Sequence, residues 1–339
     1  MRTVIDAYTH NIPPTYLKEI LQSPDPKVRG PAEHTAKRCE SYPNMIDFDV
    51  RISQMNKYKF EKQVTCMYQG LDPNHLPILD GEQQLKLCRM INDDMAEAVA
   101  KSKGRVIALA TPPLRGLENG GLEEMRRAIK DLGLRGFMAV TNIAGKPVDQ
   151  YPAFWDEAAR LGFPVYLHPV DPVTPDSRLY EDEFDLMHVL GWPFETSLTM
   201  ARLVLSGTMA RNPKLKVVAH HLGAMIPFFA GRINESYDKE MALARPDQKF
   251  DQVKGKRPAM SHFGGFILDT AIGGNAPAIE CANKVFGAKK IVFGTDYPFG
   301  PRGGIERLAR YPSIVEDTDL TRKEKQLVFE DNISRLLKI

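Results

Sequence analysis

Thr3-Val4-Ile5-Asp6-Ala7-Tyr8-Thr9-His10 is the stretch on which the fold turns. Its β-branched start, Thr3 to Ile5, reads as a strand, and a polar cluster follows. Residues two apart in a strand point to the same face, so Asp6, Tyr8 and His10 point together from the strand's C-terminal end. A β/α barrel keeps its chemistry at that end of its strands. The His10 imidazole can bind a metal, and Tyr8 stands where a second ligand is expected. Read alone, the stretch serves equally well as a first strand with a solvated polar end. The rest of the chain decides between the two.

Outward from this stretch the chain alternates. Residues 11–60 hold Pro13-Pro14, Pro24, Pro26, Gly30 and Pro31. They read as a loop region inserted after strand 1, longer than an ordinary connection, with one helical stretch from Asp49 to Tyr58. Further strands are expected at 63–68, 105–110, 136–141, 164–167, 214–219, 265–268 and 290–293. Helices are expected at 81–102, 122–132, 154–161, 196–206, 229–244, 277–285 and 324–337. Residues 169–195, rich in Pro, Asp and Glu, read as a second insertion. Strands alternating with helices favour a parallel sheet, closed or doubly wound. No Gly-rich phosphate fingerprint follows the first strand, which argues against a dinucleotide fold. No repeat or linker divides the 339 residues. Barrels of ~250 residues and more are common, so residues 1–339 read as one domain.

Composition narrows the function. The chain is 43% hydrophobic and 26% charged, in the range of a water-soluble globular protein. A net charge of +2 gives no broad basic field for nucleic acid. No stretch approaches the ~20 apolar residues of a membrane helix. Met1-Arg2 leads straight into a strand, so no signal peptide is expected, and the cytoplasm is the expected location. Cys39, Cys66, Cys88 and Cys281 form no CxxC pair, which argues for a reducing compartment and against a thiolate metal site. Cys66 reads as a buried structural thiol.

Four strands end in residues that bind metals or move protons: Tyr8 and His10, then His168, then His220-His221, then Asp296. In a barrel these ends share one mouth. Imidazoles with a carboxylate suit a catalytic divalent ion that keeps a position open. Asp269 ends another strand and can support that layer. His262 falls at the opposite end of its strand and reads as structural. His34 and His75 read as solvated loop residues.

With these residues in view, the chain resembles the amidohydrolase superfamily, in the branch of aminocarboxymuconate-semialdehyde decarboxylase and γ-resorcylate decarboxylase. Four passages carry the resemblance: Ile5 to His10 with Pro13; Val165-Tyr166-Leu167-His168-Pro169; Gly191-Trp192-Pro193-Phe194-Glu195-Thr196, continuing through Pro213 to Gly223, Pro227 and Gly231-Arg232-Ile233; and Phe293-Gly294-Thr295-Asp296-Tyr297-Pro298 with Asn332 to Leu337. The resemblance implies a distorted (β/α)8 TIM barrel with one divalent metal ion, zinc or manganese. It matches His10, His168 and Asp296 to metal ligands, and His221, six residues before Pro227, to the catalytic histidine. His220 is then expected to turn toward the barrel wall. Arg232 matches an arginine that crosses a dimer interface to hold a substrate carboxylate, a task suited to a guanidinium fork. Arg38 falls near a second carboxylate-binding arginine. Glu195 is a candidate for orienting another site group, and His188 for lining the pocket.

Tyr8 departs from the pattern, which has Asp-x-His-x-His or Glu-x-His there. A phenol with a pKa of ~10 is a poor ligand, although a dication favours phenolate. Three readings stay open: Tyr8 binds as phenolate; the ion is held by His10, His168, Asp296 and water; or Tyr8 faces the substrate in a site with weakened metal. The resemblance implies non-oxidative decarboxylation of an aromatic or unsaturated hydroxy carboxylic acid, with His221 as proton donor or base. The alternatives are a hydrolase of C–N, C–O or C–C bonds using the same metal with His221 and Asp296 as bases, a hydratase on the same site, or a binding barrel without turnover. The expected partners are a small carboxylate or aromatic substrate and a second copy of the chain, as a homodimer or dimer of dimers, with no nucleic acid and no membrane.

Overall fold

The computed structural model describes residues 3–76, 79–171, 184–237 and 258–339. Eight parallel strands form the core: β1 (Ile5–Asn11), β2 (Lys62–Met67), β3 (Val106–Ala108), β4 (Phe137–Val140), β5 (Val165–His168), β6 (Val217–Ala219), β7 (Phe266–Asp269) and β8 (Ile291–Val292). They lie in order as a three-stranded sheet, β1 to β3, and a five-stranded sheet, β4 to β8. Backbone bonds bridge both seams. Met138 N–H donates to Ala110 O at 2.8 Å, joining β3 to β4. Ala7 N–H donates to Phe293 O at 2.7 Å and His10 N–H to Tyr297 O at 2.7 Å, joining β1 to the end of β8. The strands therefore close into a distorted (β/α)8 barrel. All seven residues of β1 are buried, and its register with β2 slips between Asp6 and Thr9.

Helices surround the strands: α1 (Pro14–Leu21), α2 (Pro26–Ser41), α3 (Phe48–Tyr58), α4 (Gly81–Lys101), α5 (Gly121–Lys130), α6 (Pro152–Leu161), α7 (Trp192–Leu205), α8 (Thr208–Arg211), α9 (Ala230–Ser236), α10 (Ala276–Phe286), α11 (Ile305–Glu316), α12 (Arg322–Gln326) and α13 (Asn332–Leu337). α4 begins at a capping box of Asp80 and Gln83. It buries Leu87, Ile91, Met95 and Ala98 on one stripe. Trp155 of α6 is fully buried, its Nε1–H donating to Val148 O at 2.9 Å. No helix among the described residues is long and apolar enough to cross a membrane.

The region after strand 1 is helical rather than a loop. Pro14 and Pro26 sit in first turns, where a missing N–H costs nothing, and Asp25 caps α2 by accepting from Lys27 N–H at 2.8 Å. Of the second insertion, residues 172–183 lie outside the described residues. Its end is a π-turn, Met187–Gly191, running into α7, which begins at Trp192 rather than Thr196. The helix expected over 229–244 is α9 in its described part. α11 was not expected, because Pro312 interrupts its pattern.

Candidate metal centre and substrate cavity

His10, His168, His220 and Asp296 meet at the C-terminal mouth of the barrel, one ligand atom from each lying within 4.8 Å of all the others. His10 Nε2 is 3.2 Å and His220 Nε2 3.5 Å from Asp296 Oδ1. These three atoms are buried without an aligned hydrogen-bond partner. The opposite ring nitrogens are tied outward. His168 Nδ1–H donates to Pro169 O at 2.6 Å, and His220 Nδ1–H to Asp269 Oδ2 at 2.6 Å. His10 Nδ1 lies 3.3 Å from Cys66 Sγ. Tying Nδ1 is how a protein fixes the tautomer whose Nε2 lone pair is free for a metal. Buried, partnerless and convergent, these nitrogens with one carboxylate oxygen fit a divalent cation.

His220 is therefore not turned to the wall. In an unbroken strand, His220 and His221 would point to opposite faces. Here His221 and Leu222 take left-handed backbone angles, φ 54° and 60°, and the alternation ends. Both imidazoles reach the mouth, their centroids 3.9 Å apart. Asp296 is also left-handed, with φ 60°. Such conformations are costly for non-glycine residues and cluster at functional sites.

The electrostatics follow from burial and charge. Burial pushes the Asp296 carboxyl up, but the imidazoles of His10 and His220 and the Arg307 guanidinium outweigh it and hold it well below the usual range. Burial, with the charge of His220, keeps His168 and His221 far below the usual imidazole range, hence neutral. For His220, burial is outweighed by Asp269 and Asp296, whose carboxylates favour positive charge at its ring, whether a proton or a cation at Nε2.

A cavity of about 360 Å³ opens above the cluster. Of the expected site residues it is lined by His168, His221, Asp296, Arg38 and His188. His221 Nδ1 is buried and partnerless. The Arg38 guanidinium rests 5.0 Å above the Phe299 ring, and His188 packs 4.2 Å from Trp192. Arg307, Trp192, Phe299 and Tyr68 also line the cavity, and the sequence reading did not single them out as site residues. Arg307 Nη1 donates to Asp296 Oδ2 at 2.5 Å and to Thr295 O at 3.2 Å. Its signal was the Leu308–Val315 spacing of a helix that Pro312 obscured.

Three expected residues do not line the cavity. Tyr8 is buried beneath the cluster, its ring stacked on His220 at 4.0 Å and 20°, and it does not line the cavity. Glu195 sits in the first turn of α7, away from the cavity lining, with burial and the charge of Asp171 raising its pKa. Arg232 is exposed on α9, also outside the lining. Asp6 binds no ligand group. It accepts from Thr295 N–H at 2.9 Å and Thr295 Oγ1–H at 2.5 Å, tying β1 to the end of β8.

The chain is similar to several characterised decarboxylases. The 2-amino-3-carboxymuconate-6-semialdehyde decarboxylase of Dictyostelium discoideum is 30% identical over 288 residues, 83% of this chain and 74% of that protein. The γ-resorcylate decarboxylase of Rhizobium sp. (strain MTP-10005) is 28% identical over 304 residues, 86% of this chain and 87% of that protein. The crystal structure of a dihydroxybenzoic acid decarboxylase from Polaromonas sp. JS666, with bound manganese and the inhibitor 2-nitroresorcinol, matches with a TM-score of 0.78 at 24% identity, covering 100% of this chain and 97% of that one. Residues 5–339 match the amidohydrolase family profile, and the chain belongs to the amidohydrolase family.

Proposed function

We propose that the protein is a metal-dependent, non-oxidative decarboxylase of an aromatic or unsaturated hydroxy carboxylic acid. The observation that carries this reading is the convergence of imidazole Nε2 atoms and Asp296 Oδ1 under a cavity with aromatic walls and two guanidinium groups. His10, His168 and Asp296, with His220 beside them, would hold a divalent ion, which would supply Lewis-acid stabilisation of negative charge on the substrate. The decarboxylases to which the chain is similar support the reaction class. The manganese of the structural neighbour supports a divalent ion.

The chain's own residues do the rest. Trp192, Phe299 and Tyr68 give a flat acid apolar walls. Arg38 and Arg307 hold its anionic groups. His221 lines the cavity with a buried, partnerless Nδ1, and it carries the proton that is delivered to the carbon bearing the carboxylate. The ring loses aromaticity. The C–C bond then breaks, its electron pair returns to the ring, and carbon dioxide leaves. Arg232, exposed on α9 and outside the lining of its own cavity, serves the site from a second copy of the chain, in a homodimer or dimer of dimers. Four free cysteines support a reducing compartment, the cytoplasm.

The test is a screen of hydroxylated aromatic acids in deuterated and in ¹⁸O-labelled water. Decarboxylation releases carbon dioxide and leaves one deuterium on the product ring. Entry of ¹⁸O into the product without carbon dioxide would instead establish a hydrolase. Chelation abolishes turnover, and restoring zinc or manganese in turn identifies the working ion.

A further inference from the structure

We infer that His220 is the fourth protein ligand of the divalent ion and that Tyr8 is its support rather than a ligand. This rests on the metal-dependent reading above.

Direction is the first argument. His220 Nε2 is buried, partnerless and 3.5 Å from Asp296 Oδ1, inside the same 4.8 Å cluster as His10 and His168. Its Nδ1 is fixed by Asp269 at 2.6 Å, and neither side chain is exposed. A carboxylate behind an imidazole is the arrangement that aims the other nitrogen at a metal and raises its basicity. Asp269 ends β7 at the same mouth and is fully buried. It also accepts from Ala271 N–H at 2.8 Å, which holds the carboxylate itself in place.

The second argument is how Tyr8 is used. Its ring lies nearly parallel to the His220 imidazole. Its phenol oxygen is buried without any hydrogen-bond partner. The ring also packs against Tyr166, at 5.3 Å and 51°, in the barrel interior. Tyr8 and Tyr166 thus fill the layer below the histidines, and the face of Tyr8 is the floor on which His220 rests. An aromatic face also attracts a ring that carries positive charge, as an imidazole on a dication does. On this account the ring of Tyr8 matters and its oxygen does not.

The test reads metal binding directly, by elemental analysis, by competition with a chelator and by X-ray absorption of zinc-loaded protein. The unmodified protein should show three imidazoles around the ion. Tyr8→Phe should keep a full complement of metal at nearly unchanged affinity, while Tyr8→Leu weakens it. Asp269→Asn should weaken metal binding about 10- to 100-fold. His220→Gln should weaken it at least as much and drop the count by one imidazole. Loss of the ion in Tyr8→Phe, or two imidazoles in the unmodified protein, would overturn the inference and leave the metal-dependent reading standing. An unmodified protein that takes up no zinc or manganese would sink both. Because the imidazole count needs no variant, a His220→Gln protein that fails to fold does not protect the inference.

Discussion

A guanidinium bonded to one oxygen of Asp296 leaves the other free to face the imidazoles, and this division is the work of Arg307. Its Nη1 donates to Asp296 Oδ2, and to Thr295 O beside it. A hydrogen bond to a charged group contributes about 1.5–3 kcal/mol. Arg307→Met should therefore lower kcat/KM about 10- to 100-fold, with Arg307→Lys in between. Steady-state kinetics of the two variants checks this, and unchanged values would show that Asp296 needs no clamp. His10, His168 and Asp296 were legible because each ends a recognisable strand. Arg307 was not, because a side chain reaching the mouth from an outer helix leaves no mark in strand periodicity. The direction of His220 was hidden for another reason: alternation fails where His221 enters the left-handed region.

Among the elements, the strands and most helices could be read from apolar periodicity, and their bounds moved by only a few residues. α1 and α2 could not, since their prolines and charged residues resemble a loop until the first-turn position of each proline is known. The connection after β2 carries a titratable device. Asp72 Oδ1 accepts from Asn74 N–H at 2.7 Å and Nδ2–H at 2.9 Å. Asn74 in turn donates to Pro112 O at 2.9 Å and accepts from Leu114 N–H at 3.0 Å, joining two of the barrel's connections. Burial raises the Asp72 carboxyl from 3.8 to about 6, against the pull of those hydrogen bonds and of Arg115. Between these values the folded protein keeps a proton that the unfolded chain gives up. The stability from this group is complete below the unfolded pKa and is lost as pH rises through about 6. Asp72→Asn keeps the acceptor and cannot ionise. It should match the natural protein near pH 4 and exceed it near pH 8, by on the order of 3 kcal/mol at most, in urea melts at the two pH values.

At the scale of the molecule, several large apolar side chains on α7, the turn before it and the segment before α9 stand exposed. Phe184 and Phe228 are 68% and 78% exposed, and Val189, Leu190, Phe194, Leu198 and Phe229 are exposed as well. Met225 N–H donates to Ser197 Oγ at 2.9 Å, drawing the segment before Phe228 against α7. Exposed large apolar side chains on neighbouring segments fit an interface with a second copy of the chain. We expect the protein to sediment as a dimer or larger, and Phe228→Asp with Leu198→Asp to shift it toward monomer. On the proposal that Arg232 serves a neighbour's cavity, turnover should fall with dissociation. A fully active monomer would refute the shared site.

The chain has two tryptophans, and the fold gives them opposite surroundings. Trp155 is sealed inside the wall. Trp192 lines the cavity, its Nε1–H on Asp171 Oδ1 at 2.8 Å. The first emits as a steady background. The second is positioned to be quenched by any aromatic acid that enters beside it. The intrinsic fluorescence of the protein is thus a built-in occupancy gauge, by which candidate acids can be ranked by affinity before any of them is seen to react.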